Sequence, residues 1–213
     1  MKNLVLYAPP AAGKGTQCEL LKSKYNYKVL SIGQVLRNAR DPQTEVGRAI
    51  IETQDKGILT PDNIVADALK LELEKYSNDA IIIEGYPRNI NQARLLDNIF
   101  NDYIVINLKI DRDTAEKRTL GRLNCDNCGK IYNKFFVELA PKKDDICDVC
   151  GSILKTRSDD NEKSFKTRFD IYEINAPEIL NYYHKKGILF PVDVTSPEEV
   201  FKNISSIIED IKD

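Results

Sequence analysis

A five-stranded, parallel, doubly wound α/β sheet flanked by helices is what this sequence predicts, and three observations carry the prediction. Short apolar runs of strand length alternate with amphipathic stretches of helix length along the 213 residues. The first run leads through a loop of alanine, proline and glycine straight into a helical stretch, the local order of a phosphate-binding P-loop. Two stretches, 32–60 and 123–156, break the alternation, and the second holds four of the five cysteines. The predicted sheet therefore carries two insertions, one helical and one small and cysteine-bearing.

The strand-like runs are Asn3–Tyr7, Lys28–Ser31, Ala80–Glu84, Tyr103–Leu108 and Ile188–Val194. Short, nearly continuous apolar strands are those of a parallel sheet covered on both faces. Between them lie helical stretches at Lys14–Tyr25, Pro61–Tyr76, Asn89–Phe100, Asp111–Arg122 and Asp160–Lys185, and a last one at Pro197–Lys212. Thr60-Pro61 and Ser196-Pro197 each place a capping hydroxyl before a proline at the first helical position. The stretch 32–60 reads as short helices punctuated by Gly47 and Gly57. Both irregular stretches are expected at the C-terminal ends of strands, where open α/β sheets bind ligands.

Composition excludes several function classes. Hydrophobic residues at 42% and charged residues at 30% describe an ordinary soluble chain, long enough to bury a core. A formal charge of −2 gives no general basic field, which argues against bulk attraction to nucleic acid or anionic lipid. No apolar run has bilayer length and the first strand is too short for an export signal, so a reducing cytoplasm is expected. Cys18, beside Leu20 and Leu21, is expected to be a small core residue. His184, the single histidine, falls near a helix end and offers no basis for histidine chemistry.

Two motifs carry chemistry. Cys125 and Cys128 are separated by 18 residues from Cys147 and Cys150, the spacing of a four-thiolate structural zinc site. Each pair runs into a glycine, Gly129 or Gly151, which permits the tight turn beneath a bound thiolate. A cytoplasm favours metal over disulfides here. The loop Ala8-Pro-Pro-Ala-Ala-Gly13-Lys14-Gly15-Thr16 can curl backbone N–H groups around phosphate oxygens, with Lys14 neutralising charge and the Thr16 hydroxyl placed for Mg²⁺.

With this loop the chain resembles the adenylate kinase family in its long, zinc-carrying form. The Gly13–Gln17 segment is that family's variant of the loop. Leu30-Ser-Ile-Gly-Gln-Val-Leu-Arg37, Ile82-Ile-Glu84-Gly-Tyr-Pro-Arg88 with Gln92, Arg118-Thr-Leu-Gly-Arg122, and Arg157-Ser-Asp159-Asp160 followed by Arg168 resemble four further family motifs, in order. The resemblance implies a core of 1–31, 61–122 and 158–213, a nucleoside-monophosphate-binding insertion at 32–60 and a zinc-binding lid at 123–157. It implies Mg²⁺-dependent transfer of the γ-phosphoryl of ATP to AMP, giving two ADP. Gly13, Lys14, Gly15, Thr16, Arg118 and Arg122 would bind ATP, with Arg118 against its base. Ile32, Arg37, Gly85, Arg88, Gln92, Arg157 and Arg168 would bind AMP; Arg37 and Arg88 hold its phosphate and Gln92 reads adenine. Lys14, Arg88, Arg122, Arg157 and Arg168 would carry catalysis, and Thr16 and Glu84 would attend Mg²⁺. Because two insertions must swing, a monomer is expected.

The chain also departs from the family pattern. Ala8 and Ala11 replace loop glycines, and alanine costs about 1–2 kcal/mol wherever φ must be positive. Ile32 replaces threonine, Gln34 and Glu84 replace aspartates near the expected Mg²⁺, and Asn133 stands where many relatives have histidine. These departures keep open an inactive or weakly active nucleotide-binding regulator, or a UMP/CMP-type kinase. A zinc-ribbon nucleic-acid binder is a third reading, but Lys130, Lys134, Lys142 and Lys143 are cancelled by Asp126, Glu138, Asp144, Asp145 and Asp148.

Overall fold

The computed structural model describes residues 1–55, 60–157 and 160–211; Gly57 and Asp159 lie outside the described residues. In chain order the elements are β1 (Asn3–Tyr7), α1 (Lys14–Tyr25), β2 (Lys28–Ser31), α2 (Ile32–Asn38), α3 (Glu45–Asp55), α4 (Asp62–Leu73) and β3 (Ile81–Glu84). There follow α5 (Ile90–Ile99), β4 (Tyr103–Lys109), α6 (Arg112–Leu120), β5 (Arg122–Asn124), β6 (Ile131–Asn133), α7 (Glu162–Lys185), β7 (Leu189–Asp193) and α8 (Pro197–Asp210). The chain divides into two compact units. One comprises Met1–Ala8, Gly13–Lys109 and Ile174–Asp213, and the other Pro9–Ala12 and Ile110–Glu173.

The first unit is built on the predicted five-stranded sheet, in the order β2-β3-β1-β4-β7 with every pairing parallel. The order places β1 at the centre, with Val5 opposite Ile83 on one side and Val105 on the other. Leu4, Val5, Ile82, Ile83, Val105 and Ile106 are all fully buried, as strands covered on both faces must be. β7 is an edge strand, which is why it tolerates Pro191 and its missing N–H. Cys18 is buried, and burial pushes its thiol well above the ordinary range, so it is an inert core residue.

Helix starts follow the sequence with one correction. Ser196 caps α8, accepting from Glu199 N at 3.3 Å, with proline in the first turn. Thr60 does not cap α4: that helix begins at Asp62 with Pro61 as its N-cap residue and no side-chain cap. The Thr60 hydroxyl instead lies 3.3 Å from that of Thr53. Among the described residues of the stretch 32–60 there are two helices, α2 and α3, and no strand, as expected.

The second unit contains α6, the antiparallel β5–β6 pair and the first part of α7. Its apolar support is small: Leu123, Cys125, Tyr132, Cys147 and Leu154 form one cluster, and Ala115, Phe165 and Phe169 form another. Among the described residues no helix is long and apolar enough to cross a membrane.

Candidate active site

The phosphate loop follows the central strand β1. Gly13 adopts φ 90° as the N-cap residue of α1, and Ala11 adopts φ 60°. Of the two alanines that replace loop glycines, Ala11 is thus the one held in the left-handed region; Ala8 is not. Gly13, the N-cap residue of α1, has no side-chain oxygen with which to cap the helix. Lys14 Nζ donates to the Ala8 carbonyl at 3.1 Å, laying the ammonium back across the loop. Gly15 and Thr16 are exposed.

A second group surrounds the C-terminal end of β3. Glu84 is half-buried there, and Gly85 follows at φ 81°. A Cβ on Gly85 would also stand 3.1 Å from Cγ2 of buried Ile32. Arg88 is exposed, its Nε donating to the Gly85 carbonyl at 3.0 Å. Gln92 is buried: its Oε1 accepts from Arg88 N at 2.7 Å and its Nε2 donates to Asp62 Oδ1 at 2.7 Å. On α2, Arg37 donates to Gln34 Oε1 from Nε at 3.2 Å and from Nη2 at 2.8 Å, while Gln34 donates to Asn38 Oδ1 at 2.6 Å. The amide that replaces the family aspartate therefore holds an arginine.

In the second unit, Arg122 grips Asp160 with both arms of its guanidinium, Nε at 2.7 Å from Oδ2 and Nη2 on Oδ1. The Asp160 side chain is fully buried and the Arg122 side chain is 18% exposed, so this pair is screened little by solvent. Arg168 Nη2 lies 3.9 Å from the same carboxylate. Arg157 is exposed and donates to Asn124 Oδ1 at 3.2 Å. The Arg118 guanidinium stands 5.9 Å from the Phe136 ring centroid, and burial lowers its pKa against the opposing pull of Asp111 and Glu138. Asn133 is buried, donating to the Arg118 carbonyl at 2.9 Å and accepting from Phe135 N at 2.9 Å. A Cβ at Gly121 would meet Asn133 Oδ1 at 2.3 Å, which explains the glycine between Arg118 and Arg122.

The four cysteine sulfurs lie within 4.8 Å of one another, and none is disulfide-bonded. Cys125 and Cys150 Sγ are 3.3 Å apart and Cys128 and Cys147 Sγ 3.5 Å apart, far beyond a disulfide and near the ~3.8 Å edge of a tetrahedral zinc–thiolate site. Gly129 N donates to Cys125 O at 2.9 Å and Gly151 N to Cys147 O at 2.8 Å. Both glycines have positive φ, 74° and 71°, so the two knuckles repeat one geometry.

The sequence profile of the family described as Adenylate kinase matches residues 6–188. The chain is 38% identical to an adenylate kinase of Archaeoglobus fulgidus over 99% of both chains. It is 37% identical to one of Methanosarcina barkeri over 97% of this chain and 98% of that one. A third, from Petrotoga mobilis, is 33% identical over 96% of each chain. The chain belongs to the adenylate kinase family.

Family membership does not favour the regulator or pyrimidine-kinase alternatives. Of the adenylate kinase residues expected from sequence, Gly13, Lys14, Gly15 and Thr16 share one loop and helix start, and Arg88 meets Gln92 and Gly85 directly. Arg122 and Arg168 meet through Asp160, whereas Arg157 and Arg118 have other partners. Two carboxylates were given no role by the sequence. Asp160 was visible as an acid beside Arg157, but nothing local distinguished it from Asp159. Asp62 stands thirty residues before Gln92, and only its place at the start of α4 hinted at more than a first-turn acid.

Proposed function

We propose that this chain is an adenylate kinase that moves the γ-phosphoryl group of ATP to AMP. The observation that carries the reading is the loop Ala8–Thr16, where a left-handed Gly13 opens α1 and Lys14 reaches back to the Ala8 carbonyl. Backbone N–H groups and an ammonium gathered at a helix start suit a polyphosphate. An oxygen of the AMP phosphate attacks the γ-phosphorus as the β,γ-bridging P–O bond breaks, so one ADP forms from each substrate. The protein's task is to neutralise and align charge while excluding water. Lys14 with Arg122, Arg157 and Arg168 would take the transferring group, Arg37 and Arg88 the AMP phosphate, Gln92 the acceptor base, and Arg118 the donor base. The segments 32–60 and 123–157 would act as lids.

Thr16 and Glu84 offer the hard oxygen donors that Mg²⁺ accepts; bound there, directly or through water, it would neutralise charge on the ATP phosphates. Cys125, Cys128, Cys147 and Cys150 fit zinc by sulfur spacing, and four thiolates leave no open position, so the metal would be structural. We read the chain as a cytoplasmic monomer that acts on free nucleotides. The test is coupled ADP formation from ATP, Mg²⁺ and AMP, with UMP and CMP in parallel. Turnover with AMP should fall by about 10²–10³-fold in Lys14→Ala. Absence of turnover with any monophosphate in the folded wild type would refute the reading.

A further inference from the structure

We propose that Asp62 is a specificity-determining positioning residue: its carboxylate sets which way round the Gln92 carboxamide faces. It thereby selects a base that offers an amino donor beside a ring-nitrogen acceptor. The inference rests on the reading that Gln92 meets the acceptor base.

A carboxamide is nearly symmetric in shape and opposite in chemistry at its two ends, so its orientation must be imposed by neighbours. Both ends of Gln92 have neighbours that permit one orientation only. The Arg88 backbone N–H can only donate, and it stands 2.7 Å from Oε1. An ionised carboxylate can only accept, and Asp62 Oδ1 stands 2.7 Å from Nε2. Turning the amide over would set two oxygens against each other at one end and two donors at the other. Gln92 is 8% exposed, so water cannot readily repair either conflict.

Asp62 is organised for this task. It accepts from Asn89 Nδ2 at 3.1 Å on each oxygen and from Asn91 Nδ2 at 3.0 Å, in addition to Gln92. Burial pushes the Asp62 carboxyl up, but the bonds from Asn91, Gln92 and Asn89 outweigh it and hold the group below the usual carboxylate range. It is therefore an anion, and an acceptor alone, at neutral pH. The same carboxylate orients Asn89, whose Oδ1 then caps α5 by accepting from Gln92 N at 2.8 Å. Side chain and backbone of Gln92 are both fixed from one acid on α4.

With one lone pair of Oε1 and one N–H of Nε2 committed, the amide retains one acceptor and one donor, with their order set. Adenine presents an amino donor and a ring-nitrogen acceptor in the matching order. Hypoxanthine, nearly identical in shape, presents a carbonyl acceptor and an N–H donor, which face like groups on Gln92. AMP and inosine monophosphate (IMP) therefore read the orientation directly.

The experiment is calorimetric binding of AMP and of IMP to the wild type, Asp62→Asn, Gln92→Ala and the double variant. An amide at position 62 can meet either end of Gln92, so the preference for AMP over IMP should fall about tenfold in Asp62→Asn. Because Asp62 acts through Gln92, adding Asp62→Asn to Gln92→Ala should leave the ratio where Gln92→Ala put it. Asp62→Ser, whose hydroxyl also donates or accepts, should reproduce the fall and serves if Asp62→Asn does not fold. A wild-type ratio in the folded position-62 variants, an equal fall on the Gln92→Ala background, or no AMP preference in the wild type would overturn the proposal. Turnover by the wild type is measured separately: its absence refutes phosphoryl transfer, while the binding ratios still judge Asp62.

Discussion

Arg37 and Arg122 are both assigned to phosphate, yet the two regions that carry them hold the charge in opposite ways. Arg37, exposed on α2, rests on the neutral Gln34 amide, and among the described residues no carboxylate forms an ion pair with it. Arg122, at the start of β5, is clasped by the buried carboxylate of Asp160, which Arg168 also approaches. A neutral partner orients a guanidinium and leaves its full charge for a ligand. A buried carboxylate orients it more firmly but cancels charge, and obliges the pair to stay together once desolvated. On the proposed function, Arg37 would therefore attract phosphate, and Arg122 would be in place when phosphate arrives.

Removal of the metal should break the second arrangement most severely. Arg122 is three residues from Cys125, and the cluster beneath it consists of Leu123, Tyr132, Leu154 and two of the cysteines themselves. With zinc in the site as proposed, so small a core would depend on the cross-link, and structural zinc is worth about 10 kcal/mol or more in isolated zinc-finger peptides. Cys147→Ser, or chelation, should release bound zinc and abolish the protection of β5 and β6 amides in hydrogen exchange. The amides of β1, β3 and β4 should keep theirs. Equal loss in both sets would show that the sheet also depends on the metal.

Asp160→Ala comes next. It leaves a guanidinium that is 18% exposed without its buried partner. Such a change costs about 3–5 kcal/mol, read as a lower thermal midpoint by circular dichroism. Replacing both partners, Arg122→Met with Asp160→Leu, should regain most of that stability while phosphoryl transfer stays lost. If the double variant is as unstable as the single one, the pair stabilises the fold rather than serving the site.

On α2 the same logic runs in reverse and the effect is smaller. Gln34→Glu would give Arg37 the charged partner it lacks, and phosphate would then compete with a carboxylate for it. An exposed pair of this kind is worth at most about 1 kcal/mol, so KM for AMP should rise by no more than about fivefold. The rise should shrink at high salt, because both groups are exposed. An unchanged KM at low salt would mean that the retained charge of Arg37 is not used.

Much of this was legible in the sequence, for reasons particular residues make plain. The five strands fall within a residue or two of their predicted bounds because buried parallel strands are short, apolar and sharply bounded. The cysteine knuckles were legible because ligand spacing and the glycines at 129 and 151 are local features. Thr60 misled because its hydroxyl found Thr53, a competitor that capping preferences do not register. Asp62 and Asp160 stayed silent because their roles lie in partners 30 and 38 residues away. Gln34 looked like a weakened metal ligand, and its pairing with Arg37 emerges only when α2 is formed.

Ala11 offers the finest test, because there the backbone alone does what Gln34 and Asp160 do for the two arginines. It sits at φ 60°, where an alanine costs about 1–2 kcal/mol through the clash of Cβ with the backbone. Glycine would relieve that strain but enlarge the entropy of the unfolded chain, by roughly 0.5–1 kcal/mol. The two terms nearly cancel, and Ala11→Gly should stabilise the protein by about 1 kcal/mol or less, measured by denaturant unfolding. The Lys14 bond to the Ala8 carbonyl does not involve the residue changed, so KM for ATP should hold within about twofold, the equivalent of a few tenths of a kcal/mol. A destabilised variant would mean that Ala11 contributes packing that outweighs its strain. A large fall in KM would mean that the alanine distorts the cradle, and that the loop, unlike the two arginines, is not yet in place before nucleotide binds.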